Sequence, residues 1–146
     1  MIQMGMWSMW SAPLVMSNDL RDIGEDYVSV LTNAEVIAVD QDDLGASADG
    51  VLIVNNSNVM SAQVSVWNKP LSDGSRAVAL LNLGLFDAAT YNMTLTAELA
   101  GLPVGSHFMA RDLWLHKELG TFAGTAQFLL QPTSITMLKL TAIKDR

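Results

Sequence analysis

The sequence predicts two kinds of structure in series: a piece of an α/β unit over residues 1–46, then an antiparallel β-sandwich over residues 50–146. Three observations carry this expectation. Residues 1–50 hold nine of the 15 acidic residues and a single base, Arg21, whereas residues 51–146 hold six acids and seven bases. The apolar pattern changes from helical spacing to short alternating runs at the same place. Between the two lies "ASADG" (46–50), a small polar stretch ending in glycine, which marks a boundary.

Composition narrows the classes. Half of the 146 residues are hydrophobic and 16% are charged, which is the balance of a folded chain and not of a disordered one. The net charge of −7, with only eight scattered Lys and Arg, argues against nucleic acid, whose phosphates require clustered cations. The chain has no cysteine, so disulfide frameworks and thiolate metal sites are excluded. The start, "MIQMGMWSMWSAPLVM", is interrupted by Gln3, Ser8, Ser11 and Pro13 and falls short of the roughly 20 residues of a membrane-spanning helix. No base precedes it, so the flank of a signal peptide is missing as well.

The elements follow in order. Ile2, Met6, Met9 and Trp10 recur at helical spacing, with Pro13 to end the helix. "LVM" (14–16), between a proline and polar residues, reads as a short strand buried on both faces. "DIGEDYVSVL" reads as a helix with Asp22 as cap, Glu25 three residues on, and Tyr27, Val28 and Leu31 inward. "NAEVIAVDQDDLG" reads as another, with Asn33 as cap and Val36, Ile37 and Val39 buried.

Beyond residue 50, "GVLIVNNSN" reads as strand then turn, and "QVSVWNKPLSDGSRAVALLNLG" as a hairpin around Asp73-Gly74. "AVALL" is apolar on both faces, as a central strand should be. "TYNMTLTAEL" alternates Tyr91, Met93 and Leu95 inward with Asn92, Thr94 and Thr96 outward. "HFMARDLWLH", "TAQFLLQ" and "SITMLKLTA" complete about seven strands, enough for a sandwich with a core of its own.

"QMGMWSMWSAPLVMSNDLRDIG", followed by "NAEVIAVDQDDLG", resembles the end of the catalytic barrel in the α-galactosidase and α-N-acetylgalactosaminidase family of glycoside hydrolases, the melibiase-like enzymes. "VWNKPLSDGSRAVALLNLG" and "ARDLWLHKELGTF" are similar to that family's C-terminal β-domain. The resemblance implies the last βα unit of a (β/α)₈ barrel, with "PLVMS" as its eighth strand, followed by the sandwich. Active sites of such barrels form where strands end at the C-terminal rim, which would put Ser17, Asn18 and Asp19 at the edge of a sugar pocket or just behind it.

The activity implied is retaining hydrolysis of terminal α-linked galactose by an intact parent acting on an oligosaccharide or glycoconjugate. That chemistry needs two carboxylates about 5–5.5 Å apart, a nucleophile and an acid/base. The family's Lys-Tyr-Asp-like nucleophile motif is absent from these residues, so both catalytic aspartates are expected upstream of residue 1, and Met1 then reads as an internal methionine or the edge of an incomplete gene. The expectation is therefore no catalytic residue here, no metal and no cofactor, no nucleic-acid or membrane partner, and room for a homo-oligomer. The compartment stays open, a secreted or lysosomal parent being compatible with the family.

Each feature also has a plainer use. Ser17, Asn18 and Asp19 serve equally to cap the next helix and to pair with Arg21. Asp40, Asp42 and Asp43 imitate the opening of a calcium loop, with Gly45 at its sixth position, but Val51 stands where the closing glutamate belongs, so a solvated loop is expected. His107 and His116 lack convergent ligands. Trp67 and Trp114 could stack on sugar or fill a core. Asn55-Asn56-Ser57 and Asn92-Met93-Thr94 are glycosylation sequons, meaningful in a secreted chain. The alternative to the hydrolase reading is a stand-alone sandwich acting as an accessory or carbohydrate-binding module. Under the hydrolase reading, residues 1–45 should expose apolar surface when the rest of the barrel is absent.

Overall fold

The computed structural model describes residues 1–17, 19, 21–55, 63–84 and 90–143. Three helices come first: α1 (Ile2–Met9), α2 (Glu25–Leu31) and α3 (Ala34–Asp40). Eight strands follow: β1 (Asp49–Asn55), β2 (Gln63–Pro70), β3 (Arg76–Asn82), β4 (Tyr91–Thr96), β5 (His107–Asp112), β6 (Lys117–Ala123), β7 (Thr125–Leu130) and β8 (Ser134–Ala142). The large sheet is antiparallel throughout, in the order β1-β2-β3-β8-β5-β6, and β4 pairs with β7 in a second sheet.

The large sheet has a core on each face. On one side Val64, Val66, Val78, Leu80, Leu138 and Leu140 meet Met93, Leu95, Ala126 and Leu130 of the small sheet, which is the sandwich. On the other, Ala77, Ala79, Leu81, Ile135 and Met137 meet Met4, Met6 and Met9 of α1 and Val36 and Val39 of α3. This is why "AVALL" is apolar at every position: β3 lies between β2 and β8 and is covered above and below. The hairpin turns where the sequence placed it, with Gly74 at φ +83, a left-handed conformation that glycine adopts without a Cβ penalty. Strand β4 buries Met93 and Leu95 and exposes Asn92 and Thr94, as the alternation requires.

Asn33 caps α3 as expected, its Oδ1 accepting from Glu35 N and Val36 N, both at 3.0 Å. Val36 and Val39 are buried and Ile37 is half-buried. For α2 the outcome differs. Gly24, in an extended conformation, is the cap residue, with no side-chain cap bond, and Asp22 is exposed. Glu25 and Asp26 lie in the first turn, where the positive end of the helix dipole favours them. Tyr27 is 70% exposed and Val28 is exposed as well, because α2 reaches the core only through Val30 and Leu31.

Two further differences have physical reasons. The run "PLVM" makes no ladder with the described strands, since a strand needs a neighbour to hydrogen-bond and the adjacent elements are helices. Strand β6 adds an eighth strand that the sequence reading did not single out, because it has no apolar alternation and buries no residue fully. The turn expected at Asn56–Asn58 lies outside the described residues.

Candidate functional site

The segment leaving Pro13 carries the residues expected at a pocket rim. Ser17 is exposed, Asn18 lies outside the described residues, and Asp19 is exposed. Arg21 grips Asp19 from two sides, Nε donating to Oδ1 at 2.9 Å and Nη2 to Oδ2 at 2.6 Å, while Arg21 N also donates to Oδ1 at 3.0 Å. These bonds hold the Asp19 carboxyl below the usual carboxylate value, so it stays ionised and can only accept. Asp19 also lines a cleft between α1 and α2 with Asp22, Asp26 and Tyr27. A general acid must hold a proton near neutrality, and a carboxylate gripped in this way does not.

The acidic run 40–43 departs from the solvated loop that the sequence suggests. Asp40 is buried, its Oδ2 accepting from Gln41 Nε2 and its Oδ1 without a hydrogen-bond partner. Asp42 ties the loop to the hairpin by accepting from Ser72 N at 2.9 Å and Ser72 Oγ at 2.8 Å. Asp43 is exposed. Among the described residues no three His, Cys, Asp or Glu side chains converge as metal ligands.

The remaining candidates all lie in the sandwich portion of the chain. His116 Nδ1 lies 2.7 Å from Glu35 Oε1, and His107 is exposed on β5. Trp67 packs edge-on to Trp10 at 5.6 Å between ring centroids, its Nε1 donating to Ser65 Oγ. Together with Trp7, Met6 and Leu83 these two rings line an apolar groove of about 490 Å³. Trp114 is half-buried against the helix-side core, with its Nε1 unpartnered. Asn92 is exposed, and Asn56 and Ser57 of the first sequon lie outside the described residues.

One residue escaped sequence reasoning altogether. Lys69, on β2, is fully buried. Its Nζ donates to the carbonyls of Ser8, at 3.1 Å, and Val39, and to Ser11 Oγ at 2.7 Å. In "VWNKPL" it occupies an ordinary strand position, and nothing local distinguishes it from a solvent-facing lysine.

Comparison with known proteins gives these features a context. A family model described as the α-galactosidase C-terminal β-sandwich domain matches residues 61–140, and one described as α-galactosidase A matches residues 1–42. A probable α-galactosidase of Dictyostelium discoideum is 35% identical over 138 residues, covering 93% of this chain and 34% of the relative. An α-galactosidase of rice (Oryza sativa subsp. japonica) is 35% identical over 123 residues, covering 83% of this chain and 26% of its own. Among solved structures, α-galactosidase I from Mortierella vinacea superposes with a TM-score of 0.81 at 26% identity, over 95% of this chain and 34% of that one. The α-galactosidase of Saccharomyces cerevisiae, solved with raffinose, superposes at 0.84 with 18% identity, over 96% and 42%, a likeness of fold alone.

Helices docked on one face of a two-sheet antiparallel sandwich are thus an arrangement this chain shares with the C-terminal β-sandwich domain of α-galactosidases and the segment that precedes it. The chain belongs to the α-galactosidase family. It spans about a quarter to a third of the length of the two curated relatives, from Dictyostelium and rice.

Proposed function

We propose that this chain is the C-terminal portion of an α-galactosidase-like retaining glycoside hydrolase that removes terminal α-linked galactose. In this reading residues 1–46 close the catalytic barrel, with "PLVMS" as its eighth strand, and residues 50–146 form the appended sandwich. The nucleophilic and acid/base aspartates belong to the parent's preceding barrel units. Ser17, Asn18 and Asp19 stand at the rim or just behind it, and the Arg21-gripped Asp19 carboxylate holds the rim's shape or accepts from a sugar hydroxyl.

The supporting observation is that the two family matches fall on successive stretches, 1–42 and 61–140, which share one continuous core across the sheet. A free-standing binding module has no need of Met4, Met9, Val36 and Val39 buried against its large sheet. The unpaired run at 13–17 has the composition of a strand that takes its neighbours from elsewhere.

The test is an assay with a chromogenic α-galactoside. The chain alone should show no turnover, because retaining hydrolysis needs a nucleophile and an acid/base that the family carries elsewhere. Joined to the preceding barrel units of the Dictyostelium relative it should hydrolyse the substrate and release the α-anomer first. Turnover by the repurified chain alone would overturn this division of roles, and a well-folded but inactive fusion would count against the hydrolase reading.

A further inference from the structure

The C-terminal ends of α1 and α3 converge, and neither helix supplies a cation of its own, since the last turn of each contains no basic residue. Such ends carry unsatisfied carbonyls and the negative pole of the helix dipole. Here Asp40, at the end of α3, adds a buried carboxylate. Lys69 answers both ends from a different element. Its ammonium has three donors, and all three are used, on Ser8 O, Val39 O and Ser11 Oγ.

The partners of Lys69 lead directly to the run that approaches the rim. Ser11, at φ +50, donates its own hydroxyl to Ala46 O at 3.1 Å, and Ala48 N donates to Met9 O at 2.8 Å. Ala12 N is held by Trp7 O at 3.0 Å. The start of residues 11–17 is thereby fastened to α1, to α3 and to the segment entering β1, with Lys69 at the junction.

We propose that Lys69 is a positioning residue: its buried ammonium, shared by the ends of α1 and α3, sets where residues 11–17 and the Ser17/Asp19 rim lie relative to the sandwich. Its bearing on a sugar pocket rests on the function proposed above; the positioning itself does not. Burial pushes the Lys69 amine below its ordinary value, against the pull of Asp40 and Asp42, the charged groups facing it from α3 and the following loop. A base so depressed binds its proton less readily when folded than when unfolded, so stability rises with pH in the window below the ordinary value of 10.5. Lys69 therefore selects one arrangement of the helices at a cost in burial, as buried charges in some proteins do.

The absence of cysteine permits a direct test. Lys69→Cys, alkylated in denaturant with 2-bromoethylamine and refolded, restores a lysine-like ammonium at one site; iodoacetamide leaves a neutral group instead. Hydrogen exchange is read at Gln41 N–H, which donates to Ile37 O, at Ala48 N–H, and at central β3 and β8 amides. In Lys69→Cys and its iodoacetamide adduct, exchange at Gln41 and Ala48 should rise about tenfold or more while β3 and β8 remain protected, a local loosening and not a global one. Aminoethylation should restore protection, and stability should rise more steeply with pH, below the ordinary amine value, in the two proteins that carry an amine at position 69.

Unchanged protection at Gln41 and Ala48 in Lys69→Cys, or equal rescue by both reagents, would overturn the proposal. If Lys69→Cys does not fold, folding restored by aminoethylation alone supports it, and failure of both adducts to refold counts against it. None of these readouts uses catalysis, so they stand apart from the fate of the hydrolase reading.

Discussion

Arg111 on β5 holds Glu35 on α3 by two parallel hydrogen bonds, Nε to Oε2 at 2.7 Å and Nη2 to Oε1 at 2.6 Å. Glu118 on β6 accepts from the remaining arm, Nη1, at 3.0 Å, and His116 closes on Glu35 from the other side. The array fastens a helix of the first segment to the far half of the large sheet, across 76 residues of sequence. Its paired geometry is what distinguishes it from an incidental surface ion pair.

Acid should loosen the molecule through two carboxylates. Arg111 above all, with His116, holds Glu35 at about 2 although burial opposes it; Lys139, and then Ser75, hold Asp73 at about 2. Both folded values lie below the unfolded ones of 4.5 and 3.8, so the stabilisation is complete above about pH 5 and is lost as pH falls toward 2. Urea midpoints measured from pH 7 to pH 2.5 should fall steeply in the wild type and less in Glu35→Gln/Asp73→Asn. Parallel curves would refute the assignment.

Asn33→Ala should be among the costlier single changes in the first segment. It removes the cap of α3 and also the Nδ2 donor to Leu113 O, at 3.0 Å, at a buried site. A lost cap costs about 1 kcal/mol, and a buried acceptor left unpartnered adds about 1–3 kcal/mol. Asn33→Asp keeps the cap and loses the donor, so its midpoint in urea should fall between those of wild type and alanine.

Gly5 marks where α1 comes closest to the sheet. A Cβ built there would lie 2.7 Å from Ile135 Cδ1 and 2.9 Å from Met137 Sδ. Gly5→Leu should cost about 1–3 kcal/mol through overpacking. Gly5→Ala should cost less, because flexible side-chain ends can shift and a helical alanine recovers about 1 kcal/mol. Thermal melts of the two variants decide this; equal melting points would mean that α1 is not seated this closely.

The first segment should bind a hydrophobic dye. Val15 is 73% exposed, Met16 52% and Tyr27 70%, three large apolar side chains within 13 residues of sequence. Scattered apolar residues are ordinary on a surface, whereas a contiguous set marks an interface. Fluorescence of an anilinonaphthalene dye should drop by about half or more in Val15→Lys/Tyr27→Lys without a change in melting point. An undiminished signal would place the apolar surface elsewhere.

Several of these features are legible in the sequence alone. Asn33 as a cap, the Asp73-Gly74 hairpin, the Met93/Leu95 alternation and the two-faced apolar strand at 77–81 depend on residues within a few positions of one another, which is the range over which sequence patterns act. The family resemblance likewise rested on short runs, "APLVMSNDLR" and "EVIAVDQDDLG". Of the candidate rim, the Asp19–Arg21 pairing was legible for the same reason: the partners are two positions apart.

What the tertiary structure decided lies across long separations. Tyr27 and Val28 carry the same apolar signal as Val36 and Val39, yet only the latter meet the sheet. Strand β6 forms because β5 offers it an edge and the sandwich core takes Leu119 and Phe122, a pairing that its non-alternating sequence does not announce. Lys69 is buried because two helix ends, 61 and 30 residues earlier in the chain, bring their carbonyls to it. A sequence lists donors and apolar side chains; only folding fixes which acceptors and which faces stand opposite them, and with that which charges leave water.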